Sequence, residues 1–177
     1  MRRRFFGSIV LALCLLVSPM PIQAQENDGN VTIYHTNDMH GYVKESEGVI
    51  GLGKIAALKA SDDDAILVDA GDATQGLPIA SLTKGADIIR LMNVAGYDVM
   101  AAGNHEFDFG IDVLKQNVAL ASFPMLGANV LYNGSPLLEA QTVIQKDGYR
   151  IGFFGISTTQ TATSTNPEGM QGGYICE

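Results

Sequence analysis

The chain is short of the residues that several common functions require. It has two cysteines in 177 residues, Cys14 and Cys176. They show no CxxC spacing, which excludes a zinc ribbon or a dithiol redox motif. If a leader were removed, Cys176 would stand alone, and a lone cysteine closes no internal disulfide. Positive charge is also scarce, with 11 Lys and Arg against 19 Asp and Glu and a formal net charge of −8. Such a surface repels polyanions and offers no patch for counterion release, which argues against nucleic acid or an anionic membrane as a partner. A phosphate-bearing substrate would need positive charge brought in locally, most simply as a metal ion. Histidine is limited to His35, His40 and His105, few for a hydrolytic metal centre. No internal repeat and no low-complexity tract is present.

The one long apolar run is confined to the first two dozen residues. Arg2, Arg3 and Arg4 precede Ile9 to Val17, Ser18-Pro19 breaks the run, and Ala24 offers a small residue for signal peptidase. The run is too short to span a bilayer comfortably. Residues 1–24 are therefore expected to be a signal peptide, and the mature chain to be exported to a periplasmic, cell-surface or extracellular location, free of the membrane. Two variants fit less well. Arg2-Arg3-Arg4-Phe5-Phe6 resembles a twin-arginine signal without its flanking polar residue, and Cys14 follows Leu13 where a lipoprotein signal would carry a small residue. Cleavage after Ala24 would remove the three arginines and no acidic residue, taking the formal net charge from −8 to −11.

What remains alternates regularly. At 46% hydrophobic and 17% charged the chain has the composition of one globular domain. Val31 to Thr36 predicts a β-branched strand, and Leu52, Ile55 and Ala56 follow at helical spacing. Ala65 to Asp69 predicts a second strand, followed by Ile88, Leu91, Met92 and Ala95 on one helical face. Asp98 to Ala102 predicts a third, followed by Ile111, Leu114, Val118 and Ala121, and Pro124 to Gly127 a fourth. Strands alternating with amphipathic helices indicate α/β layers. Further on, "QTVIQ" and "YRIGFFGI" flank Lys146-Asp147-Gly148, a hairpin signal.

Three polar clusters follow the first three strands: "NDMHG" at 37–41, "AGDATQG" at 70–76 and "GNHEFD" at 103–108. Ligands of open α/β sheets bind beyond the carboxyl ends of the strands, so the three loops should converge on one rim. Asp38 and His40 can direct an oxygen and a nitrogen at one ion, Asp72 can bridge two ions, and Asn104 can offer its amide oxygen.

In this order, "DMHG", "GDATQG" and "GNHEFD" resemble the first three motifs of the calcineurin-like metallophosphoesterases. "HTNDMHG" resembles the secreted 5'-nucleotidase branch in particular, as does "GFFGISTTQTATSTNP", so the similarity runs from about Val31 to Pro167. The resemblance implies a layered α/β sheet with flanking helices, the amino-terminal part of an αββα-type domain, over residues 25–177. It implies two divalent ions, Mn or Zn or similar, with Asp38 and His40 as ligands of the first, Asp72 as the bridge and Asn104 as a ligand of the second. It makes His105 the catalytic histidine and Asp108 its orienting carboxylate, acting on nucleotide phosphomonoesters. A cyclic-nucleotide phosphodiesterase with 3'-nucleotidase activity, a nucleotide-sugar hydrolase and a non-enzymatic binding module are the alternatives.

The same resemblance requires three further histidines, and none follows His105. The carboxy-terminal domain that holds the nucleoside in the 5'-nucleotidases is not represented either. The chain is therefore expected to be an amino-terminal fragment, catalytically incompetent or nearly so, holding at most one ion weakly, with an unpaired strand edge and uncovered apolar surface. Another chain supplying the other half is a further option. Singly, each residue has a plainer explanation: His40 as a loop histidine, Asp38 and Asp72 as turn or helix caps. His35, inside the first strand, is expected to be packed or hydrogen-bonded. Asp69 and Glu106 are expected to be local hydrogen-bonding or solvated groups, and Asp62-Asp63-Asp64 an exposed turn. Asn30-Val31-Thr32 and Asn133-Gly134-Ser135 fit the glycosylation pattern, although Asn133-Gly134 reads equally well as a turn.

Overall fold

The computed structural model describes residues 30–176, so the expectation for residues 1–24 falls outside the described residues. β1 (Ile33–Thr36), β2 (Ile66–Asp69), β3 (Val99–Ala101) and β4 (Met125–Leu126) form a sheet in the order β1-β2-β3-β4, every pair parallel. These are the four strands read from the sequence, with β1, β3 and β4 two residues shorter and β2 one. Between them run α1 (Leu52–Ala60), the single turn α2 (Pro78–Ser81), α3 (Ala86–Ala95) and α4 (Ile111–Leu120). Each crossover steps one strand the same way, and right-handed connections then put all the helices on one face. There Leu67, Met100 and Met125 of the strands meet Leu52, Ile55, Ile88, Ile89, Met92 and Leu114 of the helices in one buried cluster.

The opposite face is open along β1. Ile33 is 45% exposed and His35 beside it is also exposed. This corrects the expectation for His35. The two-residue period of a strand places it with Ile33 on the side away from the helices, at the open β1 edge of a face that is buried at Ile66, Val99 and Leu126.

Beyond β4 the chain holds more than the expected hairpin. β5 (Val130–Tyr132) pairs with both β6 (Ser135–Pro136) and, late in the chain, β9 (Gly173–Ile175). Strands this short carry almost no alternation, and β9 finds its partner across a long separation, so no local signal announces them. The hairpin β7 (Gln141–Lys146) and β8 (Tyr149–Phe154) forms as expected. Both turns place two successive residues at positive φ, Asn133 (50°) with Gly134 (78°) and Asp147 (44°) with Gly148 (77°), which suits Asn-Gly and Asp-Gly in a two-residue hairpin turn. At the end of the hairpin and just past it, Phe154 and Ile156 are 72% and 58% exposed. The one-turn helix α5 (Thr161–Ser164) and a 3-10 turn at Pro167–Met170 precede β9.

Beneath the rim lies a buried polar row. Asp69 is 2% exposed, which rules out the solvated alternative and leaves a hydrogen-bonding group, local in part. It accepts the Thr36 hydroxyl at 2.5 Å and the Gly71 N–H at 2.9 Å. The Tyr97 hydroxyl lies 2.8 Å from that of Thr36 and 3.5 Å from Met39 Sδ. Burial pushes the Asp69 carboxyl up to about 7, opposed by its bonds from Thr36 and Gly71 and aided by the charges of Glu106 and Asp38. Burial likewise raises the Tyr97 phenol.

A carboxyl raised from 3.8 to about 7 keeps, in the folded chain, a proton that the unfolded chain loses. This contribution is fully present below about pH 4 and is lost as pH rises through about 7, amounting to roughly 4 kcal/mol at most. Denaturant titrations of the metal-free chain across that window should show stability falling with pH, and Asp69→Asn should flatten the fall. Equal slopes in the two proteins would contradict this role for Asp69.

Candidate metal centre

The loops after β1, β2 and β3 meet on one rim because their strands are adjacent and parallel. Three of the expected ligands take up left-handed backbone despite carrying side chains: Asp38 (φ 52°), His40 (44°) and Asp72 (62°). Such conformations are unfavourable for non-glycine residues and persist where surrounding structure imposes them, often at functional sites. Here the first two loops impose them on each other. Asp38 N–H donates to Gly71 O at 2.9 Å, His40 N–H to Asp72 O at 3.0 Å and Leu77 N–H to His40 O at 2.9 Å. The second and third loops approach through two glycines. A Cβ on Gly71 would run into the Gly103 amide, and one on Gly103 into the Asp72 carboxylate.

This framework gathers His40, Asp72 and His105, one ligand atom of each lying within 4.8 Å of the others. The two imidazole rings meet edge to face, 5.1 Å between centroids. His40 Nδ1–H donates to Gln75 O at 3.0 Å, which fixes the ring and leaves Nε2 facing the rim. Asp38 Oδ1 is 3.8 Å from that Nε2, while Oδ2 accepts Asn37 Nδ2 at 2.5 Å. Asp72 Oδ1 accepts the His105 N–H at 2.8 Å. Asn104 donates Nδ2 to Ser164 O at 3.1 Å, so its Oδ1 is the atom available to a cation. Of the four expected ligands, His40 and Asp72 are thus closely grouped, Asp38 adjoins His40, and Asn104 adjoins the group through His105.

His105 Nδ1 lies 2.7 Å from Asp108 Oδ2. A carboxylate can only accept, so the proton sits on Nδ1 and Nε2 is left for chemistry. Burial disfavours the imidazolium, but the hydrogen bond and charge of Asp108, with Asp72 and Glu106 adding, hold His105 above its ordinary range.

Glu106 corrects the sequence reading most sharply. It is buried, and all its partners but Gly103 are distant in sequence. Oε2 accepts the N–H groups of Asp72 and Gly103, each at 2.8 Å. Oε1 accepts those of Ala73 at 2.9 Å and Thr74 at 3.2 Å, and the Thr74 hydroxyl at 3.1 Å. Burial pushes its carboxyl up, opposed by these bonds, with the charge of Asp72 pushing the same way as burial. A lone acid wedged between His105 and the buried Phe107 was the only sequence signal for this role.

Among the described residues no Lys or Arg pairs with Asp38, Asp69, Asp72, Glu106 or Asp108. Imidazole nitrogens with carboxylate oxygens, in an acidic pocket lacking its own cation, fit a divalent ion of mixed N/O preference. The comparisons with known proteins agree. The model of the family described as calcineurin-like phosphoesterase matches residues 31–167. The chain belongs to this family. Its members use divalent metals.

Protein UshA of Yersinia enterocolitica is 36% identical over 89% of this chain, and a 5'-nucleotidase of Vibrio vulnificus 32% identical over 92%. The chain covers 31% and 32% of those relatives, about a third of their length. Among solved structures, a 5'-nucleotidase precursor from Thermus thermophilus matches 83% of this chain and 32% of its own, with TM-score 0.71 and 25% identity. The parallel sheet with its helices is thus the phosphoesterase fold expected from the sequence.

Glu106→Ala should leave four backbone donors without their acceptor and cost about 3–5 kcal/mol, while Glu106→Gln, which keeps one acceptor oxygen, should cost less. Urea unfolding of the metal-free variants measures both. A loss within 1 kcal/mol for Glu106→Ala, about the size of an ordinary surface substitution, would show that the loops are held by something else.

Proposed function

We propose that this chain carries the first half of a metal-dependent site for hydrolysing nucleotide phosphomonoesters, acting outside the cytoplasm. The observation that carries the reading is the convergence of His40, Asp72 and His105 within 4.8 Å at the carboxyl ends of adjacent parallel strands. The 5'-nucleotidase names of the relatives support the substrate class. The acidic balance of the chain supports a small substrate over a nucleic acid. Export rests on the Arg2–Arg4 and Ile9–Val17 pattern; no helix among the described residues is long and apolar enough to cross a membrane.

Asp38, His40 and Asp72 would hold one ion, and Asp72 with Asn104 would begin the second site. Bound there, divalent ions supply charge to stabilise phosphate oxygens and to acidify water. The chain's own residues do the rest. Asp72 is held by the N–H of His105, so the carboxylate and the imidazole keep a fixed relation. His105 presents Nε2 at the rim and, oriented by Asp108, can in its protonated form hand a proton from that atom to the departing oxygen. Within these 177 residues the second ion has too few ligands for tight binding, so one weak ion and little or no turnover are expected from them alone.

Two measurements check this. Calorimetric titration of the chain with Mn²⁺ or Zn²⁺ should give a single weak event, and phosphate release from AMP should not exceed that of His105→Ala. Two tight ions, or brisk turnover abolished by that substitution, would overturn the half-site reading. A chimera joining residues 25–177 to the remainder of the Yersinia relative should hydrolyse AMP, with His105→Ala lowering kcat by about 10²–10⁴-fold. A folded chimera inactive on nucleotides would sink the substrate class.

A further inference from the structure

We propose that residues 164–170 form a strap that positions His105, with Thr165 as its deciding residue. The proposal rests on the reading above for what His105 does, while its geometry stands apart from that reading. The strap meets the third loop at four points. The Thr165 hydroxyl donates to Asp108 Oδ1. The Asn166 N–H donates to the same oxygen at 3.2 Å. Ser164 O takes the Asn104 amide at 3.1 Å. Farther along, Gly169 lies so close to the third loop that a Cβ there would run into Phe107 O.

The consequence concerns the carboxylate between them. Oδ2 of Asp108 takes the His105 Nδ1–H at 2.7 Å, and Oδ1 is filled from the strap. With both oxygens engaged, the carboxylate cannot turn about its Cβ–Cγ bond without breaking a hydrogen bond. With Oδ1 empty it could turn freely, because terminal carboxylate torsions are broad. An imidazole is oriented only as well as the group that holds it. Thr165 therefore acts on His105 through Asp108, 57 residues away in sequence, as a positioning residue. It is 8% exposed, so water does not readily replace its hydroxyl.

The test reads tautomer and orientation rather than activity. The full chain is labelled with ¹⁵N-histidine and long-range ¹H–¹⁵N spectra are recorded, His105 being assigned by loss of its signals in His105→Ala. At a pH high enough for the ring to be neutral, the wild-type imidazole should show one tautomer, protonated on Nδ1, with well-separated nitrogen shifts. Thr165→Val should collapse that separation toward the average of the two tautomers, whereas Thr165→Ser, which keeps the hydroxyl, should restore it. A Thr165→Val spectrum identical to wild type, or a Thr165→Ser spectrum as perturbed as that of Thr165→Val, would overturn the proposal.

Should Thr165→Val fail to fold, Asn166→Pro removes the second donor at a backbone already compatible with proline, with Asn166 at φ −61° and Thr165 at φ −115°, ψ 175°. It should give a smaller shift in the same direction, and an unshifted spectrum would again overturn the strap. A single Nδ1 tautomer in a chain whose chimera hydrolyses no nucleotide would sink the hydrolytic reading and leave the strap standing.

Discussion

A carboxylate removed from water costs several kcal/mol unless its lone pairs are filled, and those of Glu106 are filled by the backbone of the loop that carries Asp72. The N–H groups of residues 72, 73 and 74 curl inward on one point. Successive amides arranged this way make a concave nest for an anion. Here the anion is built in, delivered from the neighbouring loop, and the N–H of Gly103 joins them. The consequence reaches the chemistry. With these amides committed to Glu106, an arriving phosphate cannot use them, and its charge must be met by something else at the rim. In a pocket without paired Lys or Arg, that points to metal.

The strain at the rim has an order of support. Left-handed backbone at Asp38 and His40 is held by bonds to Gly71 and Asp72. Left-handed backbone at Asp72 is held by Glu106. Glu106 belongs to the third loop, and the third loop is braced by residues 164–169. Each loop is thus positioned by the next in chain order. This explains why two glycines stand at the contact of the second and third loops, where any side chain would separate Asp72 from His105.

The sequence made the skeleton legible and the ties between its parts obscure. Four strands and three long helices follow from runs such as "AILVD" and from helical spacing, because burying an apolar stripe is a local, periodic requirement. The candidate ligands were legible because three polar clusters recur at the same place after successive strands. Glu106, Asp69, Thr165 and Asn166 were not. Most of their partners lie about 30 to 60 residues away, and nothing local separates a buried carboxylate receiving five donors from a solvated one. His35 was misjudged for a related reason. Strand periodicity says that alternate residues face opposite sides, but not which side is covered.

The acidic balance takes on a definite meaning in the folded chain. Asp69, Glu106 and His105 are all held above their ordinary pKa ranges, and neighbouring carboxylates contribute to each shift. For the two carboxyls burial is the larger cause, and the neighbouring negative charge adds to it. A divalent ion at the rim would be attracted by the same negative potential. The scarcity of histidine is then less of a handicap than it first looks. Two imidazoles provide direction, while the carboxylates provide most of the attraction, and the backbone strain described above keeps them from turning away to find other partners.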